Sequence, residues 1–283
     1  MSEIKTEELT YFHGKDTPYE IKALDNVTLT VPKGIITGII GHTGSGKSTL
    51  VQMFNGILRP EKGRVLLDGS DIWHKPKNIR AVRFKVGLVM QYPEYQLFED
   101  TVYKDIAFGP KNMGLSEAEI KERVEEAAAF SGLSAEMLSK SPFDLSGGQK
   151  RRAAIAGIIA MRPDVLVLDE PAAGLDPRGR EDIFNNIVDY QRKSGSTVVI
   201  VSHSMEDMAR YCQNLVVMSN GRIAMQGDAS QIFSRSEELS EIGLDIPQIS
   251  KLMLRLKEMG VDVDTGAYTI ESALESLLKI YNK

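Results

Sequence analysis

Apolar and polar residues alternate through "LDNVTLTV", where Val27, Leu29 and Val31 share one side. That two-residue period predicts a half-buried strand. The run stops at the turn Pro32-Lys33-Gly34, and "IITGII" follows as a nearly continuous apolar strand. From Gly46 to Leu58 the period lengthens, placing Leu50, Met53, Phe54 and Ile57 on one helical face. The predicted order is strand, glycine loop, helix. "RVLLDGSDIW" and "KVGLVMQ" read as further strands. A mostly helical stretch runs from about 104 to 138, with Ser116 and Glu119 spaced as a capping box ahead of Ile120, Val124 and Ala127. "DVLVLDEP" and "STVVIVSHS" read as buried strands around the helical "RGREDIFNNIVDYQRKSG". Asn220-Gly221 between two alternating runs predicts a hairpin. Beyond about Asp228 the pattern is helical, with Ile249, Leu252, Met253 and Leu256 spaced for one face. Strands alternating with helices imply an α/β fold with a parallel sheet covered on both faces, followed by a small C-terminal helical appendage. No internal repeat or low-complexity tract interrupts this order.

Composition narrows the picture. At 283 residues the chain is long enough for one large domain and a small addition. A net charge of -5 and a pI near 5.6 argue against a nucleic-acid partner. The single cysteine, Cys212, excludes an internal disulfide framework and reads as a small buried hydrophobe. The N-terminus "MSEIKTEEL" lacks the apolar core of a signal peptide, so the chain is expected inside the cell. "GIITGII" and "AAIAGIIAM" fall short of the roughly 18 to 20 residues of a membrane span. Work at a membrane would therefore require docking on a partner. The basic "HKPKNIRAVRFK" reads as a solvated face.

The chemistry begins in "GHTGSGKST": Gly41, His42, Thr43, Gly44, Ser45, Gly46, Lys47, Ser48 and Thr49. This is the phosphate-binding pattern of a P-loop NTPase, lying directly after a predicted strand and opening a predicted helix. The glycines let successive backbone N–H groups face a phosphate, and the helix N-terminus adds partial positive charge. Lys47 would reach the β- and γ-phosphates, and Ser48 would place its hydroxyl on Mg²⁺. The second half of a magnesium site belongs at the end of a buried strand, where "VLVLDEP" supplies Asp169 as a metal ligand. Glu170 beside it would act as general base toward the attacking water.

A second glycine turn, "DLSGGQKRR", has no lysine at the phosphate-facing position. "LSGGQ" at Leu145 to Gln149 resembles the signature of ATP-binding-cassette (ABC) ATPases. The resemblance implies a RecA-like core with an antiparallel β subdomain and a helical signature subdomain over about 95–160. It implies residues 1–228 as the nucleotide-binding domain and 229–283 as the appendage. Members of that family associate head to tail, so Ser146, Gly147, Gly148 and Gln149 would close on ATP held by a partner subunit. Asp176 in "AGLDP" resembles the residue that communicates across that dimer. Gln91 resembles the glutamine that senses Mg²⁺ and the lytic water, and His203 the histidine that contacts the γ-phosphate. Ala172 replaces a threonine common in the family. Adenine would stack on His13 or Tyr11.

A narrower resemblance spans nearly the whole chain. "QYPEYQLFEDTVYKDIAFGPKNMG", "SPFDLSGGQKRRAAIAG", "SHSMEDMARYCQNLVVM" and "IGLDIPQ" are similar to energy-coupling factor (ECF) transporter ATPase subunits, second or A-prime type. This implies ATP and Mg²⁺ as cofactors and a peripheral position on the cytoplasmic face of the membrane. The implied partners are a second, related cassette, a transmembrane coupling subunit and a membrane subunit that binds a vitamin or transition-metal ion. A groove near Gln91, lined by Tyr92, Tyr95, Leu97 and Phe98, would receive helices of the membrane partner. The rival reading, a soluble non-transport ABC ATPase, calls for long heptad insertions or a duplicated cassette, and the sequence has neither.

Overall fold

The computed structural model describes residues 2–281. Strand β1 (Ile4–His13) pairs antiparallel with β2 (Ile21–Val31). Strand β3 (Ile36–Gly41) leads into α1 (Lys47–Phe54). Next come β4 (Lys62–Leu67), β5 (Ser70–Asp71), α2 (Ile79–Lys85) and β6 (Val86–Val89). A helical group follows: α3 (Val102–Asn112), α4 (Glu117–Phe130), α5 (Ala135–Leu138) and α6 (Gly147–Ile159). The chain then alternates through β7 (Val165–Asp169), α7 (Pro177–Ser194), β8 (Thr197–Val201) and α8 (Met205–Tyr211). The hairpin β9 (Asn214–Ser219) and β10 (Arg222–Asp228) precedes α9 (Ala229–Phe233), α10 (Ser236–Glu241), α11 (Gln248–Glu258) and α12 (Ile270–Tyr281).

Two sheets result, ordered β2-β1-β4-β5 and β10-β9-β3-β8-β7-β6. In the larger one β6, β7, β8, β3 and β9 are parallel, and only β10 runs against its neighbour. Successive side chains on a strand point to opposite faces, and here both faces are covered. Leu166, Leu168, Val198 and Ile200 enter a core with Ile106, Ile155 and Phe184 from α3, α6 and α7. Val165, Val167, Val199 and Val201 enter a second core with Leu50, Met53 and Phe54 of α1 and with Leu9, Leu24 and Val27 of the antiparallel sheet. Helices α9 and α10 add Ile232, Phe233 and Leu239 to the first core. A separate small core of Met253, Val263, Ala267 and Ala273 joins α11 to α12. Among the described residues, no helix is long and apolar enough to cross a membrane.

Local devices match the sequence where they are short-range. Ser116 Oγ accepts from Glu119 N at 3.4 Å, and Glu119 Oε2 accepts from Ser116 N at 2.9 Å, which completes the capping box. Cys212 is buried, and burial pushes its thiol well above the ordinary range. Two apolar positions differ from expectation. Helix α1 ends at Phe54 because Gly56 adopts φ +69, a left-handed stop. Ile57 therefore lies off the helix and is exposed. On α11 Met253 is buried while Leu252 faces solvent. Strand β1 and helix α2 are not apparent in the sequence pattern. Register shifts between Thr6 and Leu9, Leu9 and Tyr11, and Tyr11 and Phe12 break the alternation of β1. In α2 only Ile79 and Val82 pack inward, among basic neighbours.

Phe184 is fully enclosed and stacks on Tyr211 with ring centroids 4.7 Å apart. Phe184→Ala is expected to lower unfolding free energy by about 3 to 5 kcal/mol. Urea denaturation should register this as a lower midpoint at unchanged slope.

Candidate nucleotide site

The strands β3, β8, β7 and β6 are consecutive neighbours and parallel, so their C-terminal ends line one edge. Every sequence-predicted catalytic residue leaves from that edge. β3 ends at Gly41, where an added Cβ would collide with the carbonyl oxygen of Met218. Gly46 caps α1 at φ 98, and a Cβ there would lie 2.5 Å from the oxygen of Ala23. Glycine alone lets the chain curl from strand to helix in this space. The curl leaves first-turn N–H groups of α1 without intrahelical acceptors.

Lys47 folds over the loop, its Nζ donating to the carbonyls of Gly41 at 2.7 Å and His42 at 3.0 Å. Burial pushes its ammonium pKa below the usual value, against the pull of Glu170 and Asp169. Asp169 is 6% exposed. Burial pushes its carboxyl pKa up, the Ser48 hydroxyl draws it down by hydrogen bonding, and the charge of Glu170 raises it further. Ser48 and Asp169 thus present adjacent hard oxygen donors, the chemistry Mg²⁺ prefers, and Mg²⁺ keeps its other positions for water and phosphate.

Glu170 sits just past β7 at φ 51, its N–H donating to Val201 O at 2.9 Å. Such a left-handed conformation costs a non-glycine residue about 1 to 2 kcal/mol. Its carboxylate oxygens each lie 3.0 Å from Nδ1 of the exposed His203, which follows β8. Gln91 follows β6 and is exposed, and the next residue, Tyr92, is also left-handed at φ 55. At the rim, His13 Nε2 is 3.0 Å from Thr49 Oγ1. Tyr11 packs against the second core and meets the His13 ring edge-on at 5.1 Å.

The signature residues lie elsewhere in the chain. Ser146 caps α6: its Oγ accepts from Gln149 N at 3.3 Å while Gln149 Oε1 accepts from Ser146 N at 2.9 Å. Gly147 and Gly148 occupy the first turn, whose amides have no intrahelical acceptor. Asp176 caps α7 by accepting from Gly179 N at 2.7 Å. Among the described residues, no hydrogen bond or ion pair joins Ser146, Gln149 or Asp176 to the cluster around Lys47 and Glu170.

Two further residues went unassigned in the sequence. Arg151 on α6 is 3% exposed and grips Glu94, which lies three positions after Gln91. The signal was a charge at the head of the apolar stripe Arg151, Ile155, Ile159.

With this geometry in view, residues 24–173 match the family model for ABC transporters, and the chain belongs to that family. Within it, the chain stands among the energy-coupling factor transporter ATP-binding proteins. It is 51% identical over 280 residues to EcfA2 of Clostridium tetani, covering 99% of this chain and 97% of that one. It is equally 51% identical to EcfA2 of Acetivibrio thermocellus, covering 99% of both chains. The solved structure of cbiO1 from Clostridium perfringens, part of the ABC transporter complex cbiONQ, superposes with a TM-score of 0.75 at 40% identity, over 91% of this chain and 96% of that one. A dimeric ATP-binding cassette in a post-hydrolysis state with ADP and Pi superposes with a TM-score of 0.71 at 27% identity, over 80% and 98%. The domain is an ABC ATPase, and ATP is its nucleotide.

Lys47→Ala is expected to weaken ATP binding about 10- to 100-fold, the worth of a charge-assisted hydrogen bond. Titration with a fluorescent ATP analogue measures it. Asp169→Asn is expected to stabilise the nucleotide-free chain by about 0.5 to 2 kcal/mol while abolishing hydrolysis. Because the folded-state pKa of Asp169 is raised, its ionisation opposes folding above the unfolded pKa. The gain in denaturation midpoint should therefore be present at neutral pH and vanish as the pH falls below the ordinary aspartate range.

Proposed function

We propose that this chain is the ATP-hydrolysing subunit of an ECF-type ABC transporter, bound peripherally at the cytoplasmic face of the cell membrane. Residues 1–228 act as the nucleotide-binding domain and 229–283 as the appendage. ATP hydrolysis drives uptake of a vitamin or other micronutrient, transition-metal ions included, through a transmembrane coupling subunit and a substrate-binding membrane subunit. A second, related cassette completes the pair.

One observation carries the reading. A Cβ added at Gly147 or Gly148 would meet no atom within 4 Å, and neither glycine has a left-handed φ. Nothing in this chain requires glycine there, although glycine costs a helix about 1 kcal/mol relative to alanine. Close approach from outside, by a nucleotide on the partner cassette, gives both residues a purpose.

Within one site the N–H groups of the phosphate loop and Lys47 bind the phosphates, and Ser48, Asp169 and Gln91 would hold Mg²⁺. Bound Mg²⁺ supplies charge neutralisation for the β- and γ-phosphate oxygens. Glu170 takes the proton of the attacking water, and His203 orients that carboxylate while facing the γ-phosphate. His13 offers its ring to adenine, since Tyr11 is committed to the core. Such stacking is worth about 1 to 3 kcal/mol. Ser146, Gly147, Gly148 and Gln149 of the partner close the site, and Asp176 lies at the crossing. Closure is driven by an anion gripped from both sides, and hydrolysis removes that grip. A groove of about 380 Å³ between Phe84, Leu97, Phe98 and Phe108 suits a short helix of the membrane partner. Tyr92 and Tyr95 stand outside its lining, exposed.

Glu170→Gln is expected to reduce hydrolysis about 10²- to 10⁴-fold and to accumulate ATP-bound dimers. Sedimentation with ATP and Mg²⁺ detects them. Unimpaired hydrolysis with the other cassette's acid disabled, or a monomer at saturating ATP, would overturn the proposal.

A further inference from the structure

We infer that Arg151 is a positioning residue that ties the signature helix to the loops bearing Gln91 and Glu170, so that a nucleotide seated on Ser146 to Gly148 is felt at the chain's own hydrolytic site. The inference rests on the two-cassette reading above. Its basis is one guanidinium shared by three functional segments. Arg151 Nε and Nη2 donate to Glu94 Oε2 and Oε1 at 3.0 and 2.7 Å, a two-pronged grip. Nη1 donates to the carbonyls of Ala173 and, at 3.5 Å, Pro171. Ala173 N in turn donates to Glu170 O at 3.2 Å, closing the turn that holds the acid. On the other side, Tyr95 N donates to Tyr92 O at 3.2 Å, so Glu94 lies in a turn that starts directly after Gln91.

Arg151 lies five positions beyond Ser146, in the same continuous helix that Ser146 caps, and its backbone hydrogen bonds make that span stiff. Shifting the start of α6 therefore shifts the guanidinium and both loops with it. Burial alone would raise the Glu94 carboxyl, but the Arg151 hydrogen bonds outweigh it and hold the group below its usual range, so the pair is ionic. A lysine has no planar fork and cannot serve the carboxylate and two carbonyls together. Apolar residues would fill the same space and often stabilise as well, so packing by itself does not call for a buried ion pair.

The test uses the full chain assembled with its second cassette, and compares Arg151→Gln, Arg151→Lys, Glu94→Gln and the Arg151→Gln/Glu94→Gln double variant. Expected for both Gln variants is a kcat lower by about tenfold or more, with ATP affinity within about twofold of wild type and a Hill coefficient falling toward one. The double variant should be no worse than the more damaged single one, because both break the same link. Arg151→Lys should recover only part of the rate. A folded variant that keeps wild-type kcat and cooperativity overturns the inference, as does a rate loss matched by an equal loss of ATP affinity. Should Arg151→Gln fail to fold, Glu94→Gln decides. Glu170→Gln is measured in parallel, with the second cassette's acid disabled in every assembly: full activity there rejects the proposed function itself, whereas its loss beside an active Glu94→Gln rejects only the role of Arg151.

Discussion

The parallel register of four neighbouring strands is the constraint on which this molecule depends. Because β3, β8, β7 and β6 run in one direction, the chain must leave each of them at the same edge of the sheet. The phosphate loop, His203, the Asp169-Glu170 pair and Gln91 are neighbours for that reason, although 162 positions separate Gly41 from His203. Strand ends are fixed by backbone hydrogen bonds and two buried faces, so the groups they carry are held before any ligand arrives. Disturbing the register by one residue would turn Val165, Val167 and their neighbours to the wrong face.

Much of this was legible because the relevant forces are local. Continuous apolar runs marked β3, β7 and β8, Asn220-Gly221 marked the last hairpin, and Ser116 with Glu119 marked the start of α4. The phosphate loop and acidic strand were legible as chemistry, since few residue types at that spacing bind phosphate. What escaped was either irregular or distant. The bulges of β1 erase its period, and α2 hides two inward residues among basic ones. The Arg151–Glu94 pair joins residues 57 positions apart, and no local pattern states which carboxylate a buried arginine will find. Ile57 shows the converse: its spacing fits the helix, but Gly56 ends the helix first.

The site is costly to the fold that carries it. Asp169 and Lys47 are each pushed by burial toward their neutral forms, Glu170 holds a left-handed backbone, and two glycines open α6. Each lowers stability in the empty protein. The continuous apolar layers on both faces of the sheet offset these costs, and the offset is local: Leu168 and Val167 precede the acids directly, and Val201 O anchors the Glu170 amide. Burial makes the charges of Asp169 and Lys47 costly in the empty protein, and a bound ion of opposite sign would relieve that cost.

The cap at the head of α6 has a consequence for how serine is used. A hydroxyl has two lone pairs and one proton, and the contact with Gln149 N occupies only a lone pair. The proton of Ser146 remains available to an incoming oxygen, so folding has already fixed the oxygen's position and engaging an outside anion breaks no existing bond. Stripping the hydroxyl would consequently weaken the helix start and remove that free proton in one stroke, and a loss of activity in such a protein would conflate the two effects.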